Sequence, residues 1–383
     1  MKKTMTRLLL AACGMALATI ASAQVKIGVI VSATGPAASL GIPEKNTISM
    51  CPQAIAGKRV DYIVLDDATD TTSAVQDTKK LMGEDGVDAI IGTSTTPATL
   101  AMIDVIADGE TPTISLASSA RIIEPMDARK AWMFKTPQTD VMMAGAILEH
   151  MAKTGIKTIG YVGFNDALGE AFFAEIDKAA KERNIPLVAN ERFSPKDTSV
   201  VGQALKLIAA RPDAVVIGAS GTPAALPART LFEHGYKGKL YFNHGVANND
   251  FLRVGGKDIE GAFVPVSPAI VADQLPEGHP AKKRAQEYVA LYEKAQGPGS
   301  VTAFGSYTWD ACLELAQALP QALKSAGPGT REFRRALREA LEGIKGLEVS
   351  NGVVNMSKTD HLGLDARARV MVRIQGGKWM LQK

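Results

Sequence analysis

Thr158-Ile159-Gly160-Tyr161-Val162-Gly163, Ala214-Val215-Val216-Ile217-Gly218 and Lys239-Leu240-Tyr241-Phe242 are short apolar runs set at intervals along the chain. A further run at 186–192 lies between the first two. Helical patterns fill the gaps, at 169–183, 199–210 and 223–235. Runs this short and this rich in β-branched residues read as strands buried on both faces, and their alternation with helices predicts a parallel sheet with right-handed crossovers.

The same alternation extends outward. Toward the N-terminus lie strands at 25–31, 60–65, 89–92, 113–116 and 133–136, with helices at 73–83 and 97–107 and another at 139–154. Toward the C-terminus come a strand at 262–266, helices at 281–296, 303–325 and 331–343, and a hairpin of 368–374 and 378–381 turning at Gly376-Gly377. The series predicts an α/β protein of two similar Rossmann-like lobes. Lys135-Thr136-Pro137-Gln138 is the first crossing between them, Ala262-Phe263-Val264-Pro265-Val266 the second, and the tail strand makes a third. The expected lobes are 24–137 with 266–367, and 138–265 with 368–383. Three crossings make a hinge and a cleft, and parallel sheets hold ligands beyond the carboxyl ends of their strands.

The first 23 residues read as a secretory signal. Lys2, Lys3 and Arg7 precede an apolar run over 8–20, and Ala21-Ser22-Ala23 offers an A-x-A cleavage site after Ala23. The run is shorter than the ~20 residues needed to span a bilayer. A lipobox at Leu10-Ala11-Ala12-Cys13 would leave only 8–10 as apolar core. The chain is therefore expected in the periplasm. The signal holds three of the 43 basic residues, so the rest balances its 40 acidic residues with 40 basic ones. That neutrality removes the electrostatic case for nucleic acid or an anionic membrane surface. A bridge between Cys51 and Cys312 is chemically allowed in this compartment. Their distance in sequence favours two separate buried thiols.

Two loops carry hydroxyls at strand ends. Gly92-Thr93-Ser94-Thr95-Thr96-Pro97 places Pro97 in a helix's first turn and Thr96 at its N-cap. Ala117-Ser118-Ser119 follows the next strand. Together they present hydroxyls and free N–H groups suited to a carboxylate or phosphate. Ser32-Ala33-Thr34-Gly35-Pro36 lacks G-x-G-x-x-G, and no Walker A sequence occurs, so no dinucleotide or nucleotide cofactor is expected. There is no G-x-S-x-G elbow. The histidines 150, 234, 244, 279 and 361 have no metal-ligand spacing. Glu149-His150 reads as a surface pair, and Asp66-Asp67 as capping or solvated. An enzyme is not expected, and neither is a metal.

Taken together, Ile27-Gly28-Val29, Thr34-Gly35-Pro36, Leu65-Asp66-Asp67-Ala68-Thr69-Asp70, Ile91-Gly92 with its hydroxyl loop and Gly245-Val246-Ala247-Asn248 resemble one family. They are similar to the periplasmic solute-binding proteins of ABC importers, of the leucine/isoleucine/valine-binding type. The resemblance covers essentially all of residues 24–383. It implies a type I periplasmic-binding fold with a three-stranded hinge, a small-molecule ligand, a membrane permease as partner and a monomeric working unit. The family's carboxylate-binding Ser falls at Thr96, with Thr95 beside it. Its backbone-binding Ala falls at Ala117 and its Thr at Ser119. The acid that holds the ligand's α-ammonium falls at His244. Pocket aromatics fall at Leu40, Leu168 and near Ser220, and the family's disulfide positions fall at Thr69 and Thr95.

The resemblance thus keeps the carboxylate half of the site and loses the ammonium half. A buried ammonium without a carboxylate costs several kcal/mol. The expected ligand is a carboxylate with an apolar body and no ammonium, such as an aromatic or keto acid, with His244 donating to an oxygen. Gly221-Thr222-Pro223-Ala224 and His244-Gly245-Val246-Ala247 add similarity to members associated with aromatic acids. Phe304 and Tyr307, at the start of a returning helix, are placed to close over the ligand, although such spacing also suits a core. Two other readings stand beside this one: a site for leucine, isoleucine, valine or another amino acid, and a ligand-sensing protein that docks on a separate receptor.

Overall fold

A computed structural model describes residues 24–382. The signal segment, its Ala23 cleavage site and the Cys13 lipobox lie outside the described residues. The first sheet contains β1 (Val25–Val31), β2 (Ala54–Ile55), β3 (Lys58–Asp66), β4 (Ala89–Gly92), β5 (Thr113–Ser115) and β6 (Met133–Lys135), in the order β2-β3-β1-β4-β5-β6. All its pairs are parallel except β2 with β3. Helices α1 (Ala38–Ile48), α2 (Thr71–Lys80) and α3 (Thr96–Asp108) make the connections.

After β6 the chain enters the second lobe through α4 (Asp140–Lys153). There β7 (Ile159–Phe164), α5 (Ala167–Glu182), β8 (Leu187–Phe193), α6 (Val201–Ala210), β9 (Ala214–Gly218), α7 (Ala225–Glu233), β10 (Lys239–Phe242), α8 (Asn249–Gly255) and β11 (Phe263–Val266) alternate. The chain then returns to the first lobe with α9 (Lys282–Gln296), α10 (Ala303–Ser325), α11 (Arg331–Glu342) and the small antiparallel hairpin β12 (Leu347–Val349) and β13 (Gly352–Val354). It crosses once more to end as β14 (Val370–Gln375) and β15 (Lys378–Leu381). The second sheet runs β15-β14-β11-β10-β9-β7-β8, with β14 antiparallel to β11.

Helix α1, strand β2, helix α8 and the β12–β13 hairpin are missing from the sequence pattern. Helix α1 carries Pro43 inside it and buries Ser39, Leu40, Gly41, Pro43, Glu44, Thr47 and Ile48. Covered on several sides by β1 and α10, it has no single apolar stripe to read.

The expectation of two separate thiols is wrong. Cys51, just beyond α1, is disulfide-bonded to Cys312 in α10, with Cα atoms 5.7 Å apart across 261 residues of sequence. Packing of α10 on α1 creates this closeness, which spacing along the chain does not reveal. A native bridge of this kind contributes about 2–5 kcal/mol. Of the expected surface pair Glu149-His150, Glu149 is exposed and His150 is half-buried, each with its own partner. His150 Nδ1 meets the Tyr241 hydroxyl at 2.9 Å, and Glu149 pairs with Arg369 at 3.1 Å.

Candidate functional site

Five segments that leave the carboxyl ends of parallel strands converge between the lobes. From the first sheet come Ser94, Thr95 and Thr96 after β4, and Leu116, Ala117 and Ser118 after β5. From the second come Leu168 after β7, Ser220 after β9, and His244 after β10. Leu40, Pro137, Phe304 and Tyr307 complete the wall. Local chemistry fixes each approach. Asp166 caps α5 by accepting from Leu168 N at 2.9 Å and Gly169 N at 3.1 Å. A Cβ on Gly169 would lie 1.9 Å from the Phe164 carbonyl oxygen, so only glycine lets α5 start this close to β7. Asn243 accepts from Gly245 N at 3.1 Å and so forms the short turn that carries His244.

The cap of α3 differs from expectation by one residue. Thr95 is the N-cap, without a side-chain capping bond, and Thr96 opens the helix ahead of Pro97. The shift frees the Thr96 hydroxyl, which is buried and has no partner in the protein.

His244 is 2% exposed, and neither of its ring nitrogens makes a hydrogen bond. Burial pushes its pKa down to about 3, the nearby Lys135 charge adds to this, and the Gln138 backbone opposes it. At neutral pH the ring is uncharged, with one N–H to donate and one lone pair to accept. Thr95, Ser118 and Ser220 add hydroxyls that bond no side chain or backbone group among the described residues. No Asp or Glu lines this cavity. Buried polar groups without partners are uncommon in folded proteins, and several of them facing one space mark a place where a ligand or water completes the bonding.

The inner cavity measures about 30 Å³, room for little more than a water. It adjoins an outer cavity of about 320 Å³ that shares Thr95, Leu168 and Ser220. The outer walls combine apolar Pro36, Ala37, Pro97, Phe164 and Pro223 with hydroxyls of Thr69, Thr71 and Ser194 and the charged Asp166 and Lys196. Polar and apolar groups are mixed in both cavities, and the two charged side chains, Asp166 and Lys196, belong to the outer one. The lobes touch across the cleft at Gly221, where φ is +62° and an added Cβ would lie 3.0 Å from Ser39 Oγ and 3.1 Å from Leu40 Cδ1. This conformer is closed, and a ligand larger than water requires the walls to part.

Of the residues singled out in the sequence, Leu40, Thr95, Thr96, Ala117, Leu168, Ser220, His244 and Phe304 meet on the inner wall. Ser119 does not. Its hydroxyl donates to Asp140 at 3.0 Å and accepts from Arg121 N at 3.3 Å, and Ser118 takes the wall position. The Ala117 N–H is donated to Ser115 Oγ at 3.1 Å. The sequence reading passed over Ser94, Leu116, Ser118, Pro137 and Gly245 as wall residues, while Tyr307, placed with Phe304 to close over the ligand, joins it on the wall. All except Leu116 lie in stretches already marked as loop, crossing or helix start.

Two parallel sheets, three crossings and a closed cleft between strand ends define the type I periplasmic-binding architecture of solute-capturing proteins. The periplasmic binding protein family model matches residues 24–378, and the chain belongs to that family. Members are solute-binding proteins, not enzymes. The chain is 24% identical over 361 residues to a Leu/Ile/Val-binding protein homolog 3 of Brucella melitensis, covering 90% of each. It is 42% identical to an extracellular ligand-binding receptor of Rhodopseudomonas palustris HaA2, with a TM-score of 0.91 over 94% of this chain and 100% of that one. A solute-binding protein of an ABC transporter from Rhodopseudomonas palustris BisB5, solved with 3,4-dihydroxybenzoic acid, shares the fold. It is 21% identical, with a TM-score of 0.78 over 94% of this chain and 96% of that one. No helix among the described residues is long and apolar enough to cross a membrane.

Proposed function

We propose that this protein is the substrate-binding component of an ABC importer of the branched-chain-amino-acid type, and that it captures a small carboxylate, an aromatic or keto acid, without an α-ammonium. One observation carries the reading. The unpartnered Thr96 hydroxyl and the unpartnered, neutral His244 face a cavity whose wall contains no carboxylate. A ligand carboxylate meets Thr96 and the loop at Ala117 and Ser118. His244 meets an oxygen beside it, and the apolar body extends past Leu40, Leu168 and Phe304 toward the outer cavity. The moving bodies are residues 24–137 with 266–367, and 138–265 with the C-terminal strands. The chain is exported, cleaved after Ala23, works in the periplasm as a monomer, and its closed form is read by a membrane permease.

The Leu/Ile/Val-binding relatives favour a second reading, in which the ligand is a branched-chain amino acid. Thermal-shift screening of the purified protein separates the two. Benzoate and phenylpyruvate should raise the melting temperature by several degrees at millimolar concentration, while leucine, isoleucine and valine leave it nearly unchanged. A large shift with leucine and none with the acids selects the second reading.

A further inference from the structure

Lys135 is a buried charge that the reading above does not use. It ends β6 with its side chain wholly buried. Its ammonium has three N–H donors, and the acceptor it reaches is the carbonyl of Pro137, a residue of the inner wall. The groups facing it come from four elements. Asp140 at the first position of α4 and Glu124 in the loop before β6 attract it, though no ion pair ties either one to it. His244, from the loop after β10 and on the inner wall, feels its charge. His361, stacked on Phe134, meets it through the backbone, where its carbonyl accepts the Lys135 N–H at 3.2 Å. The Asp140 carboxylate is itself occupied. It accepts from the Ser119 hydroxyl at 3.0 Å and from Ala120 N at 2.9 Å, and so holds the loop that forms part of the cavity wall. Lys135 is therefore a cation behind the cavity wall whose nearest acid is already shared. Burial pushes its pKa down to about 7, against the pull of Asp140 and Glu124.

Resting on the carboxylate reading of this site, we propose that Lys135 determines the charge specificity of the cleft: its ammonium is the counter-charge for a monoanionic carboxylate ligand, and it rejects ligands that carry an ammonium next to the carboxylate. In a closed, water-poor cleft a carboxylate lowers the energy of a nearby ammonium far more than it would in water. A zwitterion brings equal and opposite charges and offers little such gain. Its ammonium would also face His244, the wall residue that feels the Lys135 charge. Binding a monoanion therefore draws a proton from solvent onto Lys135 whenever the pH exceeds the value at which the empty site is half-charged. In the empty site His244 is uncharged across the same range, and Lys135→Met separates its share of any uptake from that of Lys135.

Calorimetric titration of the wild-type protein with phenylpyruvate, in two buffers of different ionisation enthalpy, reads the uptake directly. The expected result is uptake approaching roughly one proton per ligand at about pH 8, shrinking toward none at about pH 5.5. Lys135→Met should abolish the buffer dependence and weaken phenylpyruvate by about tenfold or more. Lys135→Gln serves the same purpose if the first variant does not fold. Buffer-independent heats in the wild type, or unchanged phenylpyruvate affinity in a folded variant, overturn this inference and leave the carboxylate reading standing. Failure of phenylpyruvate to bind the wild type at all overturns the carboxylate reading and this inference with it.

Discussion

His244 and Thr96 show how the proposed binding site differs from a core at the level of single residues. A core places polar atoms so that each finds a partner, and an orphaned buried group costs about 1–3 kcal/mol. Here the Thr96 hydroxyl and both His244 nitrogens remain orphaned in the closed conformer. A ligand that satisfies them offsets this cost only when the cleft is shut, which couples binding to closure. His244→Ala should therefore weaken phenylpyruvate by about tenfold, read by calorimetry. Unchanged affinity would mean that no ligand atom meets the ring. The sequence pointed to Thr96 through its strand-end loop and to His244 through the family resemblance. It misjudged the Ser119 hydroxyl, whose competing acceptor, Asp140, arrives from α4 across the fold.

At the scale of elements, strands β9, β10 and β15 and helix α10 fall within the bounds read from the sequence, since each is a distinct run with a clear stop. Helix α1 escapes for the opposite reason: it is covered on several sides and interrupted by Pro43. The β12–β13 hairpin escapes because what holds it is a side chain elsewhere. Asp310 of α10 accepts from Ser350 N at 2.8 Å, from Ser350 Oγ at 2.6 Å, and from the backbone and side chain of Asn351. Despite these bonds, burial pushes the Asp310 carboxyl up to about 7. Its folded pKa exceeds its unfolded one, so between about pH 4 and pH 7 the folded protein holds a proton that the unfolded chain releases. This carboxyl's contribution is fully present below that window and is lost as the pH rises through it. Asp310→Asn should flatten that part of the stability–pH curve in chemical denaturation. A slope equal to that of the wild type would contradict the assignment.

For the whole molecule, the crossings tie the cavity to the hinge. Gln138, just after the first crossing, accepts from the Tyr307 hydroxyl at 3.0 Å and donates to the Ala368 carbonyl at 2.6 Å, beside the third crossing. Tyr307 lines the inner wall, so one amide connects the inner cavity, α10 and the chain at two of the three crossings. The disulfide fastens α1 to α10 within the first lobe, leaving closure to the hinge and to contacts such as Gly221 against Leu40. The two-lobed plan was readable from alternation. The bridge and the hinge amide were not, because each joins segments more than 160 residues apart. The central claim is that the cleft selects a carboxylate lacking an ammonium, and a matched pair tests it most directly. Calorimetric titration with phenylpyruvate and phenylalanine, which differ only in an oxo group for an ammonium, should show the oxo acid binding about a hundredfold more tightly or better. Phenylalanine binding as tightly as phenylpyruvate, or more so, would contradict it.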